Sequence, residues 1–241
     1  MQIIQSILLN QFSNLTHGFT TKDVGNLAFH VNDDPINVEL NHDNLSKILN
    51  FDKNSLIHMK QIHSSDVHIV NDKDDFYNPR ECDALVTNKK NTPLMVMVAD
   101  CSPILFYDAK NNVIAVAHAG RQGAFKNIIK NTIDTMINEF SSKAENIYVS
   151  VGPSIGQCCY EVGSEIYDEA SKINLGYSLE KRESSCYLDI SKILKSQLLE
   201  CGIKKQNIEI SKECTCCLSD KYYSYRADSK TGRFAGIIVL K

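Results

Sequence analysis

The chain predicts an α+β, mixed α/β fold in a single domain, and three observations carry that reading. Near-continuous apolar runs at 94–99 and 113–117 read as strands buried on both faces. From Ala124 the apolar positions Phe125, Ile128, Ile129, Ile133, Met136, Ile137 and Phe140 follow the helical period. Strands and helices alternate, but a hairpin turn, DAKNN, also joins two strands, so a mixed sheet is expected rather than a purely parallel one.

The elements follow in order. The N-terminal third holds a strand at 3–9, a polar loop THGFTTKDVGN, and a short helix at 38–49 with Leu45, Ile48 and Leu49 as its apolar stripe. LIHMK and DVHIV then flank His63 as two short strands. In the central third Asp100-Cys101-Ser102-Pro103 breaks the 94–99 run, 104–107 resumes it, and DAKNN turns the chain into the strand ended by His118-Ala119-Gly120. This gives a buried strand, a kink and a hairpin. The last third adds a strand at 147–151, the loop GPSIGQCCYEVG, and a helix opened by Ser164. The strand CYLDI and a helix from Ser191 to Gly202 come next. The loop ECTCCLSDKYYSYRADSKTGR and the strand FAGIIVL follow them.

At 241 residues, 43% of them hydrophobic, the chain can bury a full core as one globular unit over 1–241, and no linker or repeat divides it. A net charge of −3 provides no basic field, which argues against nucleic acid and membrane surfaces as partners and leaves small molecules. The segment MQIIQSILLNQF lacks a basic n-region, and no apolar run approaches roughly 18 residues, so a cytoplasmic protein is expected. Nine cysteines in such a chain read as reduced, most of them small buried apolar side chains. The alternative for five of them is a structural zinc built from Cys158, Cys159, Cys214, Cys216 and Cys217. Their adjacent CC and single-gap CxC spacings are not the paired two-residue gaps of ordinary zinc knuckles, since only Cys214 and Cys217 are separated by two residues.

His63, Cys101 and His118 each stand in a polar interruption beside a strand-like run. Two imidazoles and a thiolate make a three-ligand set that leaves one coordination position open, the stoichiometry of a catalytic metal. Taken singly, however, a histidine beside a strand is usually hydrogen-bonded structure and a cysteine in an apolar run is usually core. Chain spacing does not select the trio. His17, His30, His42 and His58 offer no better signal, while His68, five residues beyond His63, is placed near it.

The segments QIHSSDV, CDALVT, ADCSPILFYD, AHAG, GPSIGQCCYEVG and SYRADSKTGR resemble, in order and over nearly the whole chain, the YfiH family. That family is also called laccase-domain or polyphenol-oxidase-like. The resemblance implies packed mixed sheets flanked by helices, with His63, Cys101 and His118 as ligands of one zinc beside a nucleoside-sized cavity. It also implies phosphorolysis of adenosine, inosine, guanosine and S-methyl-5'-thioadenosine, and deamination of adenosine to inosine. Purine nucleosides and phosphate are then the partners. The candidate cations for phosphate are Lys22, where the family commonly has arginine, Arg121, and Arg226, which matches the family's SYR arginine. Asp100 and Asp83 are the candidate proton carriers for deamination, because no HxE motif is present to supply the usual glutamate.

Three departures bear on substrate. Where the family usually reads Trp-Arg-Gly after AHAG, this chain has Arg121-Gln122-Gly123. Its Asn-Arg pair, expected before the first helix, is Asn41-His42, and Lys22 replaces an arginine. Three other readings use the same residues. Copper in place of zinc would suit phenol oxidation, although seven histidines without an HxH pair do not make a multicopper cluster. Cys101 with His63 or His118 as base would suit a Cys-His hydrolase. A zinc-binding interaction protein would hold metal without turnover.

Overall fold

A computed structural model describes residues 3–241. Met1 and Gln2, which open both the N-terminal segment and the expected 1–241 domain, lie outside them. Two main sheets carry the fold. The six-stranded sheet runs Ile208–Ile210, Ile147–Val151, Ser102–Asp108, Val113–Ala119, Ala84–Thr87 and Val67–Ile69, with antiparallel pairs at its centre and a parallel pair at each edge. The four-stranded sheet runs Ile3–Ile4, Leu15–Thr20, Phe234–Leu240 and Leu94–Val98, antiparallel throughout.

Side-chain alternation builds the layers. Ala84 and Val86 face the helices Ile128–Phe140 and Ile190–Glu200, whereas Leu85 between them faces the other sheet. Likewise Leu94, Val96 and Val98 pack between the sheets, while Met95 and Met97 pack against Leu45 and Leu49 of the helix Pro35–Leu49. Each sheet is therefore covered on both faces, which is why its strands read as unbroken apolar runs. The expected mixed sheets flanked by helices are present. Among the described residues no helix is long and apolar enough to cross a membrane.

Four expectations are corrected. The strand placed at 3–9 is only Ile3–Ile4 and is followed by a 3-10 turn, Leu9–Gln11. The loop THGFTTKDVGN instead begins within a strand, Leu15–Thr20. Its Leu15 and Phe19 join the inter-sheet core, and its buried His17 ring Nε2 accepts a hydrogen bond from the Ser6 amide. The helix predicted from Ala124 is two, Arg121–Phe125 and Ile128–Phe140, because Asn127 takes a left-handed φ of 59° and caps the second helix by accepting from the Lys130 amide. Asn41-His42 lies inside Pro35–Leu49, which starts at Pro35 behind the N-cap Asp34.

The kink at 100–103 is a crossing between sheets. Leu94–Val98 belongs to the four-stranded sheet and Ser102–Asp108 to the six-stranded one. Asp100 sits between them at a φ of 83°, a conformation that non-glycine residues adopt rarely and often at functional sites.

Candidate metal centre

Three elements converge at that crossing. Cys101 follows Asp100. His118 lies near the end of Val113–Ala119, in register with Pro103, and the alternation that puts Ile114 and Val116 between the sheets puts His118 at the open end of that layer. His63 is carried by the turn after Met59–Lys60 at a φ of 57°. The ligand atoms of His63, Cys101 and His118 lie within 4.8 Å of one another, and Cys101 Sγ is 4.0 Å from His63 Nε2. Gly120 makes this approach possible, since a Cβ there would meet Cys101 Sγ at 2.8 Å and His63 Cδ2 at 3.2 Å.

Asp83, fully buried, organises the group from behind. Its Oδ1 is 2.8 Å from His118 Nδ1, which leaves Nε2 to face the other two residues. The same carboxylate accepts the amides of Ile62, His63 and Ser64 at 3.2, 3.1 and 2.6 Å and the Ser64 hydroxyl at 2.8 Å. The left-handed His63 thus turns three successive N–H groups onto one anion. Burial opposes ionisation of Asp83, but the His118 and Ser64 hydrogen bonds outweigh it and hold the carboxyl at about 2. Burial likewise opposes a Cys101 thiolate, and the two imidazoles overcome it, bringing the thiol down to about 6. His118 is raised to about 9 against its own burial by Cys101 and Asp83. Such a donor set, one poised thiolate and two imidazoles with one ring fixed by a carboxylate, fits a zinc-type ion.

The trio borders a cavity of about 860 Å³, within the size range of small-molecule sites. Phe29, Phe76 and Tyr77, in successive ring contact, form an aromatic side, and Tyr160, beneath the Arg226 guanidinium, lines the cavity together with Arg233. The remaining residues singled out in the sequence divide. Arg226 reaches the cavity, its guanidinium donating to the carbonyls of Cys159 and Glu161 at 3.0 and 2.9 Å. Lys22 does not border it, because its Nζ donates to the Ser219 carbonyl at 2.6 Å and lies over the Tyr223 ring. Arg121 borders it but is paired to Glu169 at 2.6 Å.

Neither proposed proton carrier is free for that task. Asp83 is committed to His118 and the 62–64 turn. Asp100 accepts from the Thr215 hydroxyl and the Arg226 amide, each at 2.7 Å. His68 is bonded to Asp74 at 2.7 Å and does not border the cavity. Sequence reasoning missed the positioning role of Asp83 and the presence of Arg233. An aspartate inside the apolar CDALVT segment was the available signal, since a buried carboxylate requires partners.

The comparisons agree over most of the chain. A family model described as multi-copper polyphenol oxidoreductase laccase matches residues 12–241. A protein named purine nucleoside phosphorylase YlmD, from Bacillus subtilis, is 30% identical, the match covering 93% of this chain and 88% of that one. A purine nucleoside phosphorylase of Clostridium acetobutylicum is 36% identical, with 86% of each chain covered. Among solved structures, the hypothetical protein YfiH of Bacillus licheniformis superposes with a TM-score of 0.90 at 30% identity, over 97% of this chain and 94% of that one. With sequence, family model and fold in agreement over most of its length, this chain belongs to the laccase-like YfiH family.

Proposed function

We propose that this chain is a cytoplasmic zinc-dependent purine nucleoside enzyme, one catalytic domain over 1–241. In this reading it phosphorolyses adenosine, inosine, guanosine and S-methyl-5'-thioadenosine and, with a proton carrier other than Asp83 or Asp100, deaminates adenosine. The observation that carries it is the meeting of His63, Cys101 and His118, with Asp83 behind them, at the edge of an apolar cavity large enough for a nucleoside. Relatives named purine nucleoside phosphorylase support the substrate class.

His63, Cys101 and His118 would hold the metal, and a zinc ion there supplies Lewis acidity at its remaining coordination position. Asp83 fixes the His118 tautomer and ring plane. Phe29, Phe76 and Tyr77 offer aromatic surface for a purine. Arg226 and Arg233 provide the positive charge for phosphate, with Arg226 keeping N–H directions beyond those spent on Cys159 and Glu161.

The test is product analysis of metal-quantified protein incubated with adenosine, with and without phosphate. Adenine and ribose 1-phosphate forming only with phosphate is the expected result, and inosine in either condition marks the deaminase. Neither product from zinc-loaded protein overturns the reading.

One observation favours a second reading. The Cys101 thiol, brought down to about 6 beside two imidazoles, is also the arrangement of a Cys-His nucleophile. Iodoacetamide separates the two, since a metal-bound thiolate resists labelling until a chelator is added. Copper with phenol oxidation is the remaining metal alternative.

A further inference from the structure

Four of the nine cysteines gather away from His63, Cys101 and His118. Cys158 and Cys159, in the turn after Gly156, meet Cys214 and Cys217, in the loop after Ile208–Ile210. All four Sγ atoms lie within 4.8 Å of one another, and Cys217 Sγ is 3.5 Å from Cys158 and 3.4 Å from Cys159. The burial expected of them as small apolar side chains does not hold here. Cys158 and Cys217 are exposed, Cys159 is half-buried and only Cys214 is buried. Cys216, included in the sequence alternative, stands outside the mutually close group.

We infer that Cys158, Cys159, Cys214 and Cys217 form a second metal site, a tetrathiolate centre for a single zinc ion. Four sulfurs tetrahedrally placed about 2.3 Å from zinc are separated by about 3.8 Å, which the observed spacings approach. A sulfide-bridged cluster would hold its thiolates further apart, and a disulfide would bring one pair to about 2.05 Å. The ligand spacing that looked unfavourable in sequence is immaterial in the fold, because the site forms between two loops and not within one. A parallel bridge pairs Ser154 with Cys214, and the Thr215 amide donates to the Ser154 carbonyl at 3.1 Å, so the loops are joined beside the sulfurs. The Gly156 amide donates to Cys214 Sγ at 3.2 Å, an interaction that favours the thiolate. A Cβ on Gly156 would meet Cys158 Sγ at 3.1 Å and Cys214 Cβ at 3.2 Å, so glycine is what lets the loops close.

The role is a staple. Ile155, Tyr160, Tyr225 and Arg226, all bordering the cavity, come from these two loops. Arg226 bonds the Cys159 carbonyl, and Thr215 and Arg226 both bond Asp100, the neighbour of Cys101. Zinc displaces the thiol protons as it binds and fixes that wall. The expected totals rest on the proposed zinc at His63, Cys101 and His118, whereas the second site is read from the loss of one zinc ion between wild type and Cys217→Ser.

The experiment is metal quantification on the full chain purified under reducing conditions from zinc-supplemented cells. Wild type and a Cys201→Ser control should carry roughly two zinc ions each, and Cys217→Ser and His118→Ala roughly one each. Should Cys217→Ser fail to fold, alkylation of wild type decides. The exposed Cys158 and Cys217 should resist iodoacetamide until a chelator is added, when both label. Wild-type zinc content in a folded Cys217→Ser, full labelling without chelator, or a disulfide among the four in reduced protein overturns the inference.

Discussion

His118 and His42 are both almost fully buried, at 4% and 1% exposure, yet the protein drives them to opposite protonation states. His118 has the Asp83 carboxylate on Nδ1 and Cys101 before it, and it is raised to about 9. His42 lies 2.8 Å by Nε2 from the Leu27 carbonyl, stacks on Phe29, and leaves Nδ1 buried without a partner. Burial pushes it down to about 4 despite the Leu27 bond. His58 repeats the pattern, with Nε2 2.8 Å from the Phe76 carbonyl, and burial lowers it too despite its backbone hydrogen bonds. Burial alone thus does not decide what a histidine does. The group behind its second nitrogen does, and it separates a ring that can serve a metal from rings that brace the aromatic side of the same cavity.

The contrast breaks most severely at Asp83. Asp83→Asn keeps the shape and removes the anion, leaving the 62–64 amides and His118 poorly satisfied. It should weaken zinc binding about 10- to 100-fold. It should also lower stability by roughly 2 to 3 kcal/mol. Competition titration with a chromophoric chelator and urea unfolding measure the two losses, and unchanged zinc affinity would remove Asp83 from its positioning role.

Acid tests the other pair. The folded pKa of His42 is depressed to about 4 from 6.5, so the unfolded chain binds more protons between those values and stability rises with pH there. The contribution is fully present above pH 6.5 and is lost as pH falls towards 4, up to about 3 kcal/mol. His42→Leu, although less stable at neutral pH for want of the Leu27 bond, should flatten the urea midpoint across this window. An equally steep profile in the variant would place the acid sensitivity elsewhere.

The smallest effect sharpens the rule. His68 also has a carboxylate, Asp74 at 2.7 Å, but its side chain is 25% exposed and no thiolate or cavity faces it. His68→Gln should change stability by less than about 1 kcal/mol and leave zinc content unaltered. Loss of zinc in this variant would show that carboxylate backing at a distance matters to the metal centre.

What the sequence made legible follows from burial. The runs at 94–99 and 113–117 are read correctly because both faces of each sheet are covered. Leu15–Thr20 was concealed because His17 and its threonines are polar letters whose hydrogen bonds only the fold supplies. Ile208–Ile210 and Leu179–Arg182 were too short for a pattern to stand out. Cys101 and His118 were placed correctly at element ends. The apolar CDALVT segment signals that Asp83 needs partners but not which ones, since it acts on His63 and His118 across 20 and 35 residues of chain. Nor could spacing tell that Lys22 turns to Ser219 while Arg226, matched on the same grounds, turns to the cavity.

The four-stranded sheet has one more consequence, for synthesis on the ribosome. Phe234–Leu240 lies inside that sheet, between Leu15–Thr20 and Leu94–Val98, not at its edge. Until residues 234–240 have emerged, those two strands have no common neighbour, and their inter-sheet faces, including Phe19 and Val96, cannot be sealed. The six-stranded half therefore keeps part of its apolar face open until residues 234–240 pair with both neighbours, a long-range closure of the slow kind. The last strand thus governs when the layers that carry His118 and Phe76 are closed.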